Sequence, residues 1–314
     1  MIQRLVNRIA EMNNPTVVGL DPTLALIPDE MKGKYFEQYG KTTKAVAEMF
    51  ISFNKEIIDA VKDIVPAVKP QIAMYENYGI DGLSAYIETC KYASDAGLIV
   101  IGDIKRGDIS STATAYAAHL SGAEIEGKRI NLWHEDFITV NPYLGSDGII
   151  PFTDACKETG KGIFVLVKTS NESSIEIQDL YAVSDSDSNE ESEQIYMRVA
   201  KLVESWGSDL ISPSGFSSVG AVVGATHRDI GKILRKNFPN MFFLVPGYGA
   251  QGATAEDLKG FFDENGAGCI INSSRGIIGA WKKNNGMTVG EAARKATIEM
   301  REDLNYKKEK VNYG

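Results

Sequence analysis

A chain of 314 residues that is 43% hydrophobic carries enough apolar material for one large α/β domain or two smaller ones. Its formal charge of −9 argues against the basic stripe of a nucleic-acid-binding protein, although one arginine and a few backbone amides could still hold a single phosphate. Three widely separated cysteines, Cys90, Cys156 and Cys269, show no metal-ligand spacing and suggest a reducing compartment.

The N-terminal MIQRLVNRIAEMNN reads as an amphipathic helix without the apolar stretch of a signal peptide. No apolar run approaches the roughly 18 residues needed to span a membrane. A soluble cytoplasmic protein with no membrane partner is expected. Short β-rich apolar runs then alternate with helical patterns: TVVGLD (16–21), AVKPQIA (67–73), LIVIGDIK (98–105), FITVNPY (137–143), GIFVLVKTS (162–170), VGAVVGAT (219–226), MFFLVPG (241–247) and GCIINSS (268–274). Between them, TTKAVAEMFISFNKEIIDAVKDI, GLSAYIETCKYASDAG and TAEDLKGFFDENG read as helices, the last with Thr254 before an acidic first turn and a closing Gly266.

Strands rich in Val and Ile without alternation suggest a parallel sheet covered on both faces. Eight β/α repeats in this length, with no Pro/Gly/Ser linker, fit a single (β/α)₈ TIM barrel spanning 1–314; an open doubly wound sheet is the alternative. Two segments stand outside the repeat. SGAEIEGKRINLWHEDF reads as a long excursion after the third strand. An acidic surface insertion near 171–195 contains SDSDSNEES (184–192). There Asp185, Asp187 and Asn189 mimic an EF-hand, but Glu190 replaces the required Gly and Tyr196 the bidentate Glu, so a solvated loop is expected.

In such barrels the active site lies at the C-terminal ends of the strands. Here those ends carry Asp21, Lys69, Asp103 with Lys105, Asn141, Lys168 to Ser170, and Arg275. Asp103 and Lys105, two apart, should share one strand face; Asp108 follows in the loop. Charges after an apolar run are costly unless paired, and so many converging on one rim point to chemistry. His119, His134 and His227 show no ligand spacing, and ordinary structural or surface roles are expected for them. In PGYGAQG (246–252), Gly247, Gly249 and Gly252 satisfy G-x-G-x-x-G. It sits at the seventh strand, and the next strand ends without a ribose-holding acid. A phosphate loop completed by Arg275 is the better reading, ahead of a dinucleotide site.

The run DIKRGDISST (103–112), together with VGLDP (18–22), VKP (68–70), NPYLG (141–145), LVKTSN (166–171), PGYGAQG and Arg275, resembles the signature of the orotidine 5′-monophosphate decarboxylase family, in its longer branch. The resemblance implies decarboxylation of orotidine 5′-phosphate to UMP in pyrimidine synthesis, with neither metal nor organic cofactor. It implies a Lys69, Asp103, Lys105, Asp108 array, with Lys105 protonating carbon 6 of the ring. Asp108 and Thr112 would cross a homodimer interface into the partner's site. Asp21 and Lys69 would contact ribose hydroxyls and Ser170 the pyrimidine, while Gln251 and Arg275 hold the phosphate under the 246–254 loop. A metal-dependent sugar-phosphate decarboxylase also resembles the D-x-K pattern but wants an acid where Lys69 stands. A Schiff-base aldolase could use Lys105, though Asp103 would keep that lysine protonated. A dinucleotide-dependent oxidoreductase would rest on GYGAQG, and a non-catalytic phosphate-binding protein would leave the charge array unexplained.

Overall fold

The structure, a computed structural model, describes residues 1–183, 192–249 and 252–309, with side chains through 305. Its eight barrel strands are β1 (Thr16–Leu20), β2 (Ala67–Pro70), β3 (Ile99–Arg106), β4 (Phe137–Val140), β5 (Gly162–Lys168), β6 (Val219–Val223), β7 (Phe243–Pro246) and β8 (Cys269–Ser273). Each falls within or beside an expected run. Every neighbouring pair is parallel, and β8 returns to β1 with Thr16 opposite Ile271 and Val18 opposite Ser273, closing the barrel. That closure makes the fold a (β/α)₈ barrel and excludes the open sheet.

The missing alternation now has a physical cause: both faces of each strand are apolar because both are buried. Val17, Ala67, Ile99, Phe137, Phe164, Leu244 and Ile270 point into the barrel. Their chain neighbours Val18, Val68, Val100, Ile138, Ile163, Phe243 and Ile271 pack under the helices. Phe137, Phe164 and Phe242 form a stepped aromatic layer low in the barrel, with successive ring centroids 5.2 and 6.4 Å apart. A side chain at Gly162 would stand 2.4 Å from the Phe137 ring, so glycine there admits the layer. Below it, the helix Ile2–Met12 inserts Ile2, Leu5 and Ile9 into the same cluster. The barrel is therefore plugged from beneath, and its free space lies at the C-terminal mouth.

The helices Thr43–Val61 and Gly79–Asp95 form where the patterns place them; Thr42 caps the first by accepting from the Ala45 amide at 3.2 Å. The stretch 254–266 is a correction: it holds only turns and a 3₁₀ segment, Lys259–Phe261. Asp257 Oδ2 accepts from both the amide and the hydroxyl of Thr254, at 2.9 and 2.8 Å, and the following amides bond three residues back. Gly260 lies so close to Lys232, and the Phe261 ring to Gly231, that the link seats on the helix Arg228–Asn237 without forming a full helix of its own. The start signals are real, but they cap a turn.

The excursion SGAEIEGKRINLWHEDF follows the helix Ser110–Ser121 and contains the hairpin Ala123–Ile125 and Lys128–Ile130. Tyr181–Ala182 pairs with Glu193–Gln194 to bracket the acidic run. Asp185, Asp187, Asn189 and Glu190 lie outside the described residues. Tyr196, the other mismatch to a calcium loop, is buried in the helix Ile195–Trp206. The three cysteines are buried and none forms a disulfide, and no helix among the described residues is long and apolar enough to cross a membrane.

Candidate active site

Lys69 ends β2 as a nearly fully buried side chain, and its Nζ meets Asp103 Oδ2 at 2.5 Å. The other carboxylate oxygen receives the Lys105 ammonium and, at 3.0 Å, the Thr139 hydroxyl. Thr139 Oγ1 in turn accepts from the Lys105 amide at 2.9 Å. Asp103 and Lys105 do meet, as their spacing suggests, but not through regular strand alternation. The β3–β4 register shifts between Gly102 and Arg106, and Lys105 holds a φ of 47°, a left-handed conformation unusual for a side-chain-bearing residue. Such a residue marks a place where the surroundings dictate the backbone. Here they aim an ammonium that is 45% exposed along the cavity wall.

Burial alone pushes the Asp103 carboxyl up, yet the adjacent Lys69 and Lys105 outweigh it and hold the group far below its ordinary 3.8. For Lys69, burial pulls the ammonium down and the carboxylates of Asp103 and Asp21 more than reverse it, leaving it raised. Both groups are ionised at neutral pH.

These side chains form one wall of a cavity of about 710 Å³ at the barrel mouth. Asp21, beyond β1, lines it, and one of its carboxylate oxygens is buried without a protein partner among the described residues; the same is true of Asn272 Oδ1 at the end of β8. Ser170 lines it from beyond β5. Its neighbour Thr169 is held by Gln178, which accepts from the Thr169 amide at 2.9 Å and donates to its hydroxyl at 2.8 Å. His227 Nε2 donates to the Thr169 carbonyl at 2.8 Å. Lys168, by contrast, is turned away into the interior, paired with Asp179 at 2.6 Å and Ser174 at 3.2 Å. Asn141 also stands off the cavity, accepting from the Tyr143 amide.

The opposite wall comes from beyond β7 and β8. Gly247, Gly249 and Gly252 have φ values of 112°, 71° and 92°, which only glycine adopts freely, and Gly247 and Tyr248 line the cavity. The Tyr248 hydroxyl donates to Asp303 at 2.7 Å. Arg275 opens the short helix Arg275–Ile278, is exposed, and has no ion pair among the described residues. Gln251 lies outside the described residues.

Asp108 and Thr112 do not reach this cavity within the chain. Asp108 Oδ1 accepts from the Ile109 amide at 2.7 Å, and Thr112 is exposed on the helix Ser110–Ser121. Around them Ile109, Tyr143, Leu144 and Ile150 stand exposed, an apolar shoulder beside the mouth. Of the histidines, His119 is buried against Glu135 at 2.7 Å, with its ring stacked on Trp133. Among the described residues, no group of three or more His, Cys, Asp or Glu is placed to hold a metal ion.

Residues 16–286 match the family described as "Orotidine 5'-phosphate decarboxylase / HUMPS family". Proteins named orotidine 5'-phosphate decarboxylase from Clostridium tetani and Petrotoga mobilis are 43% and 44% identical to the chain over 306 residues, covering 97% of it and 97% and 98% of their own lengths. Among solved structures, a putative orotidine-monophosphate-decarboxylase from Toxoplasma gondii superposes with a TM-score of 0.78 at 30% identity, over 99% of this chain and 97% of that one.

Asp103→Asn would leave the buried Lys69 ammonium with the more distant Asp21 as its counter-charge. At pH 7 the variant should be less stable than the parent by about 3 kcal/mol in urea unfolding, the scale for breaking a buried pair from one side. Because folding lowers the Asp103 carboxyl, its contribution is complete above its ordinary 3.8 and is lost as pH falls below that value. The stability gap should therefore narrow in acid. A gap that stays constant from pH 7 to about pH 3 would count against the two-lysine clamp.

Proposed function

The chain belongs to the orotidine 5′-phosphate decarboxylase family, and from that premise we infer how its barrel mouth works. It is an orotidine 5′-phosphate decarboxylase, releasing carbon dioxide from the nucleotide to give UMP in pyrimidine biosynthesis. One observation carries the finer reading: a buried carboxylate clamped between two ammonium groups on one wall of a cavity whose other wall offers a glycine loop and an exposed arginine.

Loss of carbon dioxide leaves a carbanion on a ring carbon with no good electron sink. A fixed positive charge beside that carbon stabilises the transition state in a site closed to water. Lys105 is the residue in our reading that does this and then protonates carbon 6. Asp103 lies beside the substrate carboxylate; like charges about 4 Å apart at an effective dielectric of 20 repel by roughly 4 kcal/mol, and that repulsion ends when neutral carbon dioxide departs. Neither a metal nor an organic cofactor takes part. Arg275, Gln251 and the amides around Gly247, Gly249 and Gly252 hold the phosphate, whose binding energy offsets the strain at the ring. Asp21 and Lys69 receive the ribose hydroxyls and Ser170 the pyrimidine. Lys69 stands where the metal-dependent sister enzymes want an acid, which favours the metal-free chemistry.

Asp108 completes the array from a second subunit, with Thr112 beside it. The support is geometric: both are exposed and neither lines its own cavity, and nearby Ile109 is 58% and Tyr143 82% exposed. A homodimer that buries this shoulder would deliver each Asp108 to its partner's lysines. The chain acts as one catalytic domain, and within the insertion near 171–195 the described Tyr181 and Ala182 are exposed while Ser174 is buried against Lys168.

Purified protein with excess chelator should deplete the absorbance of orotidine 5′-phosphate. Turnover abolished by the chelator would overturn the metal-free reading, and no turnover without it would overturn the activity. Lys105→Ala should stay folded and lose at least two to three orders of magnitude in kcat, since one aimed charge in a closed site is worth about 3–4 kcal/mol; retention of a tenth of parental activity would remove Lys105 from the centre of the mechanism. If the sites are shared, inactive Lys105→Ala and Asp108→Ala dimers should regain activity on subunit exchange, because each mixed dimer has one site with neither defect. Equal mixing should restore roughly a quarter of parental activity; exchange without rescue would place Asp108 outside the partner's site.

A further inference from the structure

Tyr248 and Asp303, joined by a 2.7 Å hydrogen bond, belong to parts of the chain with opposite mechanical character. Tyr248 stands between Gly247 and Gly249, both at positive φ, so the chain on either side turns on residues without side-chain restraint. Tyr248 lines the cavity that Arg275 also lines. Asp303 stands on the helix Val289–Glu309, which is fastened along its length. Arg294 grips both carboxylate oxygens of Asp63 at 2.6 and 2.8 Å, the Gly290 amide bonds to Glu56, and Asn305 donates to the Asn13 carbonyl. Met300 and Leu304 are buried beneath the helix. A loop with glycine joints is thus tied to a fixed post.

The tie is a charge-assisted bond in a half-buried place, the kind that survives competition with water. Burial, and then the Asp303 carboxylate, push the Tyr248 phenol above its ordinary 10.0, so the hydroxyl keeps its proton and remains the donor. Asp303 also lies beyond the 16–286 stretch that matches the family. A loop left free would have to be ordered when a phosphate binds, at a cost in affinity. A tether present beforehand removes that cost from the binding step.

We propose that Asp303 is a positioning residue for phosphomonoester recognition: through Tyr248 it holds the Gly247–Gly249 turn in the pose that meets the substrate phosphate. The C-terminal helix then sets part of the affinity from outside the site. This inference rests on the reading of that turn as the phosphate loop.

The test compares orotidine 5′-phosphate with orotidine, and UMP with uridine. Asp303→Ala should raise KM for the nucleotide about tenfold, with kcat within about twofold, the scale of one lost charged hydrogen bond. The Kd of UMP by calorimetry should rise by the same factor, while orotidine turnover and uridine binding stay unchanged. Asp303→Asn keeps an acceptor for the phenol and should recover most of the affinity. Adding Tyr248→Phe to Asp303→Ala should raise KM no further, because both remove the same bond. Parent protein that shows no preference for the phosphorylated substrate would overturn the phosphate-loop reading and the tether with it. A parent with that preference, and an Asp303→Ala protein that keeps its full nucleotide affinity or loses nucleoside turnover equally, would overturn the tether alone.

Discussion

A carboxylate at the end of a buried strand is stable only where cations meet it, and Asp103 meets two. The dependence runs both ways, since Lys69 can be buried only because Asp103 stands across from it. That meeting requires the β2–β3 register, Ala67 beside Ile99 and Val68 beside Val100, which the apolar residues on both faces enforce. A slip of one residue would send the two charges to opposite sides of the sheet. Core packing and site electrostatics are therefore one constraint. Thr139 extends it to β4, bonding Asp103 and the Lys105 amide through one hydroxyl and pinning the irregular turn that aims the second lysine.

The barrel's circular order separates the two kinds of recognition. The charged array sits on β2 and β3, and the glycine turn and Arg275 follow β7 and β8, with β1 between them on the short way round. A ligand held by both must stretch across the mouth, as a nucleotide does with its base at one end and its phosphate at the other. The walls bearing charge are built into strands. The opposite wall is built on a turn with glycines at positive φ, from which Tyr248 bonds to a distant helix.

Much of this was legible in the chain. The barrel was, because eight apolar runs without alternation mean strands covered on both faces, and regular crossovers leave few ways to join them. Asp103 and Lys105 were, because charge directly after such a run is too costly to be incidental. Other features had no local signal. Thr139 looks like any strand threonine until its hydroxyl is seen against Asp103. Lys168 reads as a rim charge like its neighbours, but Asp179, eleven residues on, draws it inward. Tyr248 and Asp303 are 55 residues apart, and nothing in either segment announces the other. The 254–266 stretch misleads for the opposite reason: its Thr and Asp are sound capping residues, and a turn uses the same hydrogen bonds as the first turn of a helix.

The aromatic layer of Phe137, Phe164 and Phe242, backed from below by Ile2, Leu5 and Ile9, gives this enzyme's cavity a closed floor among the described residues. Val222 and Leu244, which line the cavity, belong to the same packed floor. In the proposed reaction carbon dioxide would form beside the charged array, above this floor, and leave by the mouth that admits the nucleotide. Small, neutral and weakly hydrated, it can slip by where a charged product could not. Passage through the mouth thus suits a reaction whose two products differ so widely in size and charge.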